Sequence, residues 1–212
     1  MLVRDVHTRG LIKSTALSGL YVEDMIPPLE IVRLFNQTEV SFVLIGLHGI
    51  AGWMDEPRAT EDVDVVVASK HRRKAVRVLT AKYRRLFVDD LPGVIRLRDP
   101  ATGKGLIDIV KPTLPLFRAL FKNARRIRVG KQQYRIPTLE MAIALKFAPM
   151  TSPNREAADK HQDAHDFILL VKRNPGINKR KLSELGDLVY PGGGAELSDM
   201  VRKVEAGEKL VL

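Results

Sequence analysis

The 212-residue chain contains no cysteine, which excludes disulfide bonds, thiolate metal sites and cysteine nucleophiles. Any metal ion must therefore be held by oxygen or imidazole ligands. The chain also lacks long hydrophobic runs: stretches such as residues 42–45 are far shorter than the ~20 residues that a membrane-spanning helix needs. Residues 1–10 carry charges instead of the apolar core of a secretion signal. We therefore expect a cytoplasmic protein with no membrane partner.

Acidic residues are missing from two long windows of the sequence. Residues 65–88 and 109–139 each contain eight Lys or Arg side chains and no Asp or Glu, and the formal net charge of the chain is +10. The windows are either solvated helix and strand faces or the walls of a groove that follows a phosphate backbone. In the second interpretation the partner is RNA. The residues predicted to contact nucleic acid are Arg72, Arg73, Arg125 and Arg126.

Hydrophobic periodicity predicts an α+β protein, with a mixed β-sheet flanked by helices and a mainly helical C-terminal part. Strand-like runs occur at residues 41–45, 62–68, 86–88, 94–97 and 106–110, and helical spacing occurs at 28–35 and 70–83. Beyond Pro112 the pattern is helical, apart from a hairpin around residues 127–136. We therefore predict an α/β core over residues 1–112 and a helical region over residues 113–212 that completes the site.

Three aspartates in predicted strands suggest metal-dependent chemistry. Asp62 and Asp64 are two residues apart, so an extended chain points both carboxylates to one side. Asp108 is an isolated acid in the apolar run LIDIV at residues 106–110. Crowded carboxylates need a neutralising cation, and hard ions such as Mg²⁺ or Mn²⁺ prefer oxygen ligands. The pattern favours two-metal phosphoryl or nucleotidyl transfer, with Asp62, Asp64 and Asp108 as metal ligands.

These residues resemble a known family. Gly46, followed by the segment RATEDVD at residues 58–64, resembles the opening signature of the DNA-polymerase-β-type nucleotidyltransferase superfamily. The RATxDVD form is similar to the abortive-infection (AbiEii-type) toxin branch. Asp108, Lys146, Arg155 and the segment DAHD at residues 163–166 follow in the order of that branch. The resemblance spans residues 40–172.

The resemblance implies a nucleotidyltransferase-like fold and a role for each matching residue. Asp62, Asp64 and Asp108 would hold the metals, while Asp163 would orient or deprotonate the acceptor hydroxyl. The substrate would be an NTP, and a toxin-type enzyme would have an antitoxin protein as a partner. The residues implied in nucleotide binding are Gly46, His48, Gly49, Arg58, Thr60 and Lys146.

One departure from the family pattern concerns phosphate binding. The superfamily usually has Gly-Ser or Gly-Gly after the first strand, whereas this chain has GLHG at residues 46–49. The side chain of His48 or the amide of Gly49 is expected to replace the missing serine contact. Two alternatives to an RNA-modifying enzyme remain: a catalytically idle module that binds RNA or protein, and transfer to a small hydroxylated molecule such as an aminoglycoside. The basic charge of the chain argues against a cationic acceptor.

Overall fold

The computed structural model describes residues 26–54 and 58–210. These residues form two compact units. One contains the described chain up to Thr113 together with Ala124–Ile136, and the other contains Leu114–Asn123 and the described chain from Pro137 onward. The segment Ala124–Ile136 therefore belongs to the first unit, whereas the division predicted at residue 112 assigned it to the helical region.

The first unit combines a five-stranded sheet, three α-helices, two short 3-10 helices (Ala51–Trp53 and Ser69–His71) and a separate hairpin within the described residues. In chain order its elements are α1 (Pro28–Gln37), β1 (Phe42–Leu44), α2 (Gly46–Ile50), β2 (Val63–Val67), α3 (Arg72–Lys82), β3 (Phe87–Asp90), β4 (Val94–Arg98), β5 (Gly105–Val110), β6 (Ala124–Val129) and β7 (Gln132–Pro137). Helix α1 begins at a proline, whose fixed φ suits the first helical position.

The sheet is mixed, with the strand order β1-β2-β5-β4-β3. Strands β2 and β5 are parallel, while the pairs β1–β2, β4–β5 and β3–β4 are antiparallel. Strands β6 and β7 form their own two-stranded sheet. The predicted α+β class with a mixed sheet and flanking helices is confirmed.

One face of the sheet carries the hydrophobic core of the first unit. Val63 and Val65 on β2 are fully buried in a cluster that also contains Phe35 of α1 and Leu79 of α3. Because side chains alternate along a strand, Asp64 points to the opposite face. The same alternation and the strand register decide which polar side chains meet there.

The second unit is helical in the part that the structure describes. Its helices are α4 (Pro115–Ala119), α5 (Leu139–Met150), α6 (Ala157–Arg173), α7 (Lys179–Gly186) and α8 (Gly193–Glu205). Helices α7 and α8 approach very closely, because a Cβ atom on Gly194 would lie 2.4 Å from the carbonyl oxygen of Ser183. The glycines between these helices therefore permit close packing as well as ending a helix.

No helix among residues 26–54 and 58–210 is both long enough and apolar enough to cross a membrane. Residues 1–10, whose charges predict that there is no secretion signal, lie outside the described residues.

Candidate active site

The strand register brings two of the predicted aspartates together. Asp64 on β2 and Asp108 on β5 are direct partners in the parallel strand pair, so their side chains share one face of the sheet. Asp62 precedes β2 and lies two residues before Asp64, which places it on the same side of the extended chain. The hydroxyl of Thr60 donates a hydrogen bond to Oδ1 of Asp62. Asp62, Asp64 and Asp108 thus lie on the same side of the sheet of the first unit.

Gly46 lies directly beside the carboxylate of Asp64. Its φ of +57° is in the left-handed region that favours glycine, and a Cβ atom there would lie 2.0 Å from Oδ2 of Asp64. The backbone N–H of Ile45 donates to the carbonyl oxygen of Asp64 at 2.9 Å. The turn after β1 therefore packs against Asp64, and only glycine at position 46 leaves room for the Asp64 carboxylate.

Arg96 is a site residue that the sequence analysis missed. It is the register partner of Asp108 in the β4–β5 pair, and its Nε and Nη2 atoms donate to Oδ1 and Oδ2 of Asp108 at 2.8 and 2.6 Å. The hydrogen bond to Asp108 raises the pKa of Arg96 above its usual value, and the charges of Asp64 and Asp62 raise it further. Arg96 therefore lies within electrostatic reach of all three aspartates.

The side chain of Arg96 also depends on a glycine. A Cβ atom on Gly105 would lie 2.7 Å from Cδ of Arg96 and 3.0 Å from its Nε. The guanidinium is held by Asp108 and cannot simply swing away. Gly105 at the start of β5 thus provides the space that the ion pair occupies.

A cationic side chain, Arg96, lies against one of the three predicted metal ligands. Among the described residues, no three His, Asp or Glu side chains converge closely enough to hold a metal ion. Both oxygens of Asp108 accept hydrogen bonds from Arg96, so Asp108 already has a cationic partner. Asp62 and Asp64 are partly exposed and provide the hard oxygen ligands that Mg²⁺ prefers. Asp62 and Asp64 therefore suit a divalent ion chemically, and the metal-ligand roles of Asp62, Asp64 and Asp108 stay predictions.

The two groups expected to replace the missing serine are both buried. His48 in α2 is only 4% exposed, and burial lowers its pKa to about 4, so the imidazole is neutral near pH 7. The amide of Gly49 is buried and already donates to the carbonyl oxygen of Ile45 at 2.9 Å. The structure thus offers neither a cationic His48 nor an available Gly49 amide to a phosphate.

Lys146 and Asp163 lie together in the second unit. The ammonium of Lys146 lies 3.0 Å from Oδ1 of Asp163 and 2.7 Å from Oδ2 of Asp166. Nη2 of Arg155 lies 3.0 Å from Oδ2 of Asp163. The charges of Lys146, Asp163 and Asp166 are almost completely buried, whereas the side chain of Arg155 is exposed. The roles predicted for Lys146 in phosphate binding and for Asp163 at the acceptor hydroxyl stay predictions.

The remaining predicted residues lie in the first unit. Arg58 donates to the carbonyl oxygen of Ala59 at 3.2 Å. Arg72 and Arg73 open α3, and their side chains are half-buried and exposed, respectively. The guanidinium of Arg125 lies 5.2 Å from the ring centroid of Trp53, a cation–π distance. Arg126 on β6 is exposed.

Comparison with protein-family models and with curated proteins finds no match. Comparison with solved structures finds matches. A crystal structure of ANT(2")-Ia in complex with adenylyl-2"-tobramycin aligns with 81% of this chain and 95% of its own, at a TM-score of 0.53 and 13% identity. The chain has a nucleotidyltransferase-like fold.

Two further solved structures match with similar TM-scores and sequence identities. A solution structure of the antibiotic-resistance factor ANT(2'')-Ia covers 85% of this chain and 94% of its own, with a TM-score of 0.51 and 11% identity. An antigenic nucleotidyltransferase-like protein from Paracoccidioides brasiliensis covers 95% of both chains, with a TM-score of 0.49 and 17% identity. At these identities the likeness concerns the fold alone. The nucleotidyltransferase-like fold predicted from the sequence motif is confirmed, and the AbiEii-type resemblance rests on the motif only.

Proposed function

We propose that the chain transfers a nucleoside monophosphate from an NTP to a hydroxyl group of an acceptor. The observation that carries the proposal is the register pairing of Asp64 with Asp108, with Asp62 on the same side of the chain. Gly46 supports the carboxylate of Asp64 at the turn after β1. This cluster on a nucleotidyltransferase-like fold is suited to binding a metal-associated polyphosphate.

The proposed metal ligands are Asp62 and Asp64. A bound Mg²⁺ or Mn²⁺ ion supplies Lewis-acid stabilisation of phosphate charge, and its remaining ligands would be water or phosphate oxygens. Asp108 acts differently in this chain, because its bidentate pair with Arg96 fixes both of its oxygens. Arg96 is therefore a positioning residue that orients Asp108. Its guanidinium also adds a positive charge close to Asp62 and Asp64.

We favour RNA as the acceptor because of the charge of the chain. The net charge is +10, and sixteen basic side chains lie in the two acid-free windows, eight in each. A surface of this kind attracts a polyanion and disfavours a cationic small molecule. The sequence motif further supports a toxin-type activity with an antitoxin protein as partner.

The decisive experiment uses radiolabelled NTPs, Mg²⁺ and total RNA, with a small hydroxylated acceptor in a parallel reaction. We expect labelled RNA with the wild-type protein and a loss of at least ~100-fold with Asp64→Asn, because one of the two metal ligands is removed. The matched control is Asp89→Asn on edge strand β3, where the carboxylate pairs with Arg98 instead. Activity of Asp64→Asn within a few fold of wild type would contradict the assignment. Label in the small acceptor alone would overturn RNA as the acceptor.

A catalytically idle module is the second candidate, and two observations favour it. Asp108 is neutralised by Arg96, and neither His48 nor the Gly49 amide is available to a phosphate. Calorimetric titration with an NTP and Mg²⁺ separates the two functions. An enzyme binds the NTP and loses this binding on Asp64→Asn, whereas an idle module gives no heat with any NTP.

A further inference from the structure

Strand β3 forms one edge of the five-stranded sheet. In the strand order β1-β2-β5-β4-β3, it pairs with β4 alone among the described residues. Phe87 and Val88 on this strand are 46% and 40% exposed, and they are two of the three large hydrophobic side chains that the described part of the chain exposes. Adjacent exposed apolar side chains on an edge strand mark a surface that can pair with another strand.

The backbone of β3 also presents hydrogen-bonding groups at this edge. At the turn between β3 and β4, the N–H of Leu91 donates to the carbonyl oxygen of Val94 at 2.9 Å. Hydrogen-bonded pairs alternate along an antiparallel ladder, so the register directs the backbone groups of the first and third residues of β3 toward β4. Those of the second and fourth residues, Val88 and Asp90, point away from β4. An added strand would pair with these groups and continue the sheet.

The charges along this segment change sign from one end to the other. Arg84 and Arg85 lie just before β3 and are exposed, while Asp89 and Asp90 end the strand. In an antiparallel pair of two copies of β3, the basic end of each copy lies beside the acidic end of the other. A parallel pair would bring like charges together, which is destabilising. The segment is therefore complementary in charge to a second copy of itself.

We propose that two copies of this chain associate through an antiparallel pair of their β3 strands. Such a contact is isologous, because one two-fold axis relates the strands and both copies contribute the same surface. Phe87 of each copy lies next to Phe87 of the other, on one face of the combined sheet. Aromatic side chains that are neighbours across two strands stabilise the pairing. The two five-stranded sheets become one continuous sheet.

The acidic side chains at the end of β3 are compatible with this contact. Charges on an edge strand usually oppose pairing with another chain. Here Asp89 accepts a hydrogen bond from Arg98 at 3.1 Å, and Asp90 pairs with Lys111, so both charges are partly compensated within one chain. The side chain of Asp90 is nevertheless 65% exposed. It can therefore accept a further cation from the other copy.

The proposed contact is small, because β3 has only four residues. We therefore expect a reversible dimer with a dissociation constant of about 10–100 µM. Strands β4 and β5 separate β3 from Asp64 on β2. Dimerisation therefore does not depend on nucleotidyl transfer, and it is measured with the full chain in EDTA and without an NTP, so that either proposal can fail alone.

The first test exchanges charges between the two ends of the segment and uses sedimentation velocity. Arg84→Glu and Asp90→Lys should each raise the dissociation constant about tenfold or more, because each variant sets like charges together at both ends of the symmetric contact. An equimolar mixture of the two variants should dimerise within about threefold of wild type, because each copy supplies the charge that the other lacks. The matched control is Arg77→Glu at an exposed position of α3, which should stay within about twofold of wild type.

The second test uses the absence of cysteine from the chain, because a single introduced thiol then reports the contact directly. Phe87→Cys places two thiols next to each other across the two-fold axis, where a disulfide can form. Mild oxidation should therefore give a covalent dimer. The matched control is Leu114→Cys, since Leu114 is another exposed apolar residue, at 59%, and this variant should stay largely monomeric under the same conditions.

Three results would overturn the proposal. The first is a wild-type chain that stays monomeric at about 500 µM. The second is a mixture of Arg84→Glu and Asp90→Lys that dimerises no better than either variant alone. The third is a Phe87→Cys variant that cross-links no faster than Leu114→Cys.

Hydrogen exchange identifies a different occupant of the edge. In the proposed dimer, the outward-facing amides of Val88 and Asp90 become more protected as the protein concentration rises. Protection that does not depend on concentration, in a monomeric wild-type chain, would show that residues of the same chain outside the described ranges cover the edge. That result would also overturn the proposal.

Discussion

Replacing Arg96 with methionine tests the electrostatic arrangement of the aspartate cluster. The side chain of Asp108 is only 11% exposed, while that of Arg96 is 34% exposed. Removing one partner of a fully buried ion pair costs about 3–5 kcal/mol, because the other charge is left uncompensated. The partial exposure of Arg96 reduces this to about 2–3 kcal/mol. For a chain of this size, we expect the melting temperature to fall by about 5–10 °C.

The control for this prediction is Arg98→Met on the same strand. Arg98 pairs with Asp89 at 3.1 Å, and both side chains are more exposed than that of Asp108. The free energy of unfolding should therefore fall by less than about 1 kcal/mol in Arg98→Met. The double variant Arg96→Met/Asp108→Leu should recover most of the lost stability, because no unpaired charge remains.

The single variant Arg96→Met also allows a second measurement, with Mn²⁺ alone. Once Arg96 is removed, Asp108 is a free neighbour of Asp64 in the parallel register. Mn²⁺ should therefore raise the melting temperature of Arg96→Met by more than that of wild type. The reasoning is refuted if Arg96→Met melts within about 2 °C of wild type, which corresponds to less than about 1 kcal/mol. It is also refuted if Mn²⁺ stabilises both proteins equally.

Two further predictions concern the turn that follows β1. Gly46→Ala should destabilise the protein by about 2 kcal/mol or more and abolish NTP binding, because its Cβ would lie 2.0 Å from Oδ2 of Asp64 at a φ of +57°; chemical denaturation and calorimetry measure both effects, and unchanged NTP binding would contradict the placement of Asp64. For His48, burial lowers the pKa from 6.5 to about 4 in the folded state, so the unfolded chain takes up a proton first as the pH falls. Stability should drop between about pH 6.5 and pH 4 by up to about 3 kcal/mol. Denaturation in EDTA should show that the free energy of unfolding of His48→Gln falls less over this pH range than that of wild type. Parallel pH profiles for the two proteins would disprove the assignment of the pH dependence to His48.

Much of the fold follows from local sequence patterns. The β-branched run at residues 62–68 predicted β2, and the apolar run around Asp108 predicted β5. Period-two alternation then placed Asp62 and Asp64 on one side of the chain. These inferences succeeded because they depend only on neighbours in the sequence.

The partner of Asp108 could not be identified in this way. Arg96 lies in a short alternating strand, and its meeting with Asp108 depends on the register of the β4–β5 pair, which contains an irregularity between Leu97 and Arg98. The available signal was the single charge of Asp108 in β5 beside the alternating arginines Arg96 and Arg98 of β4. The burial of His48 was equally hidden, because α2 has only five residues and buries four of them.

Because Gly105 and Arg96 are in close contact, the effect of a substitution at one position should depend on the residue at the other. A side chain at position 105 would occupy the space of Cδ and Nε of Arg96, which the bidentate pair with Asp108 holds in place. In a combinatorial library selected for stability, alanine at position 105 should therefore be recovered mainly with a short side chain at position 96. Such epistasis would show directly that these two sites accept substitutions as a pair rather than independently.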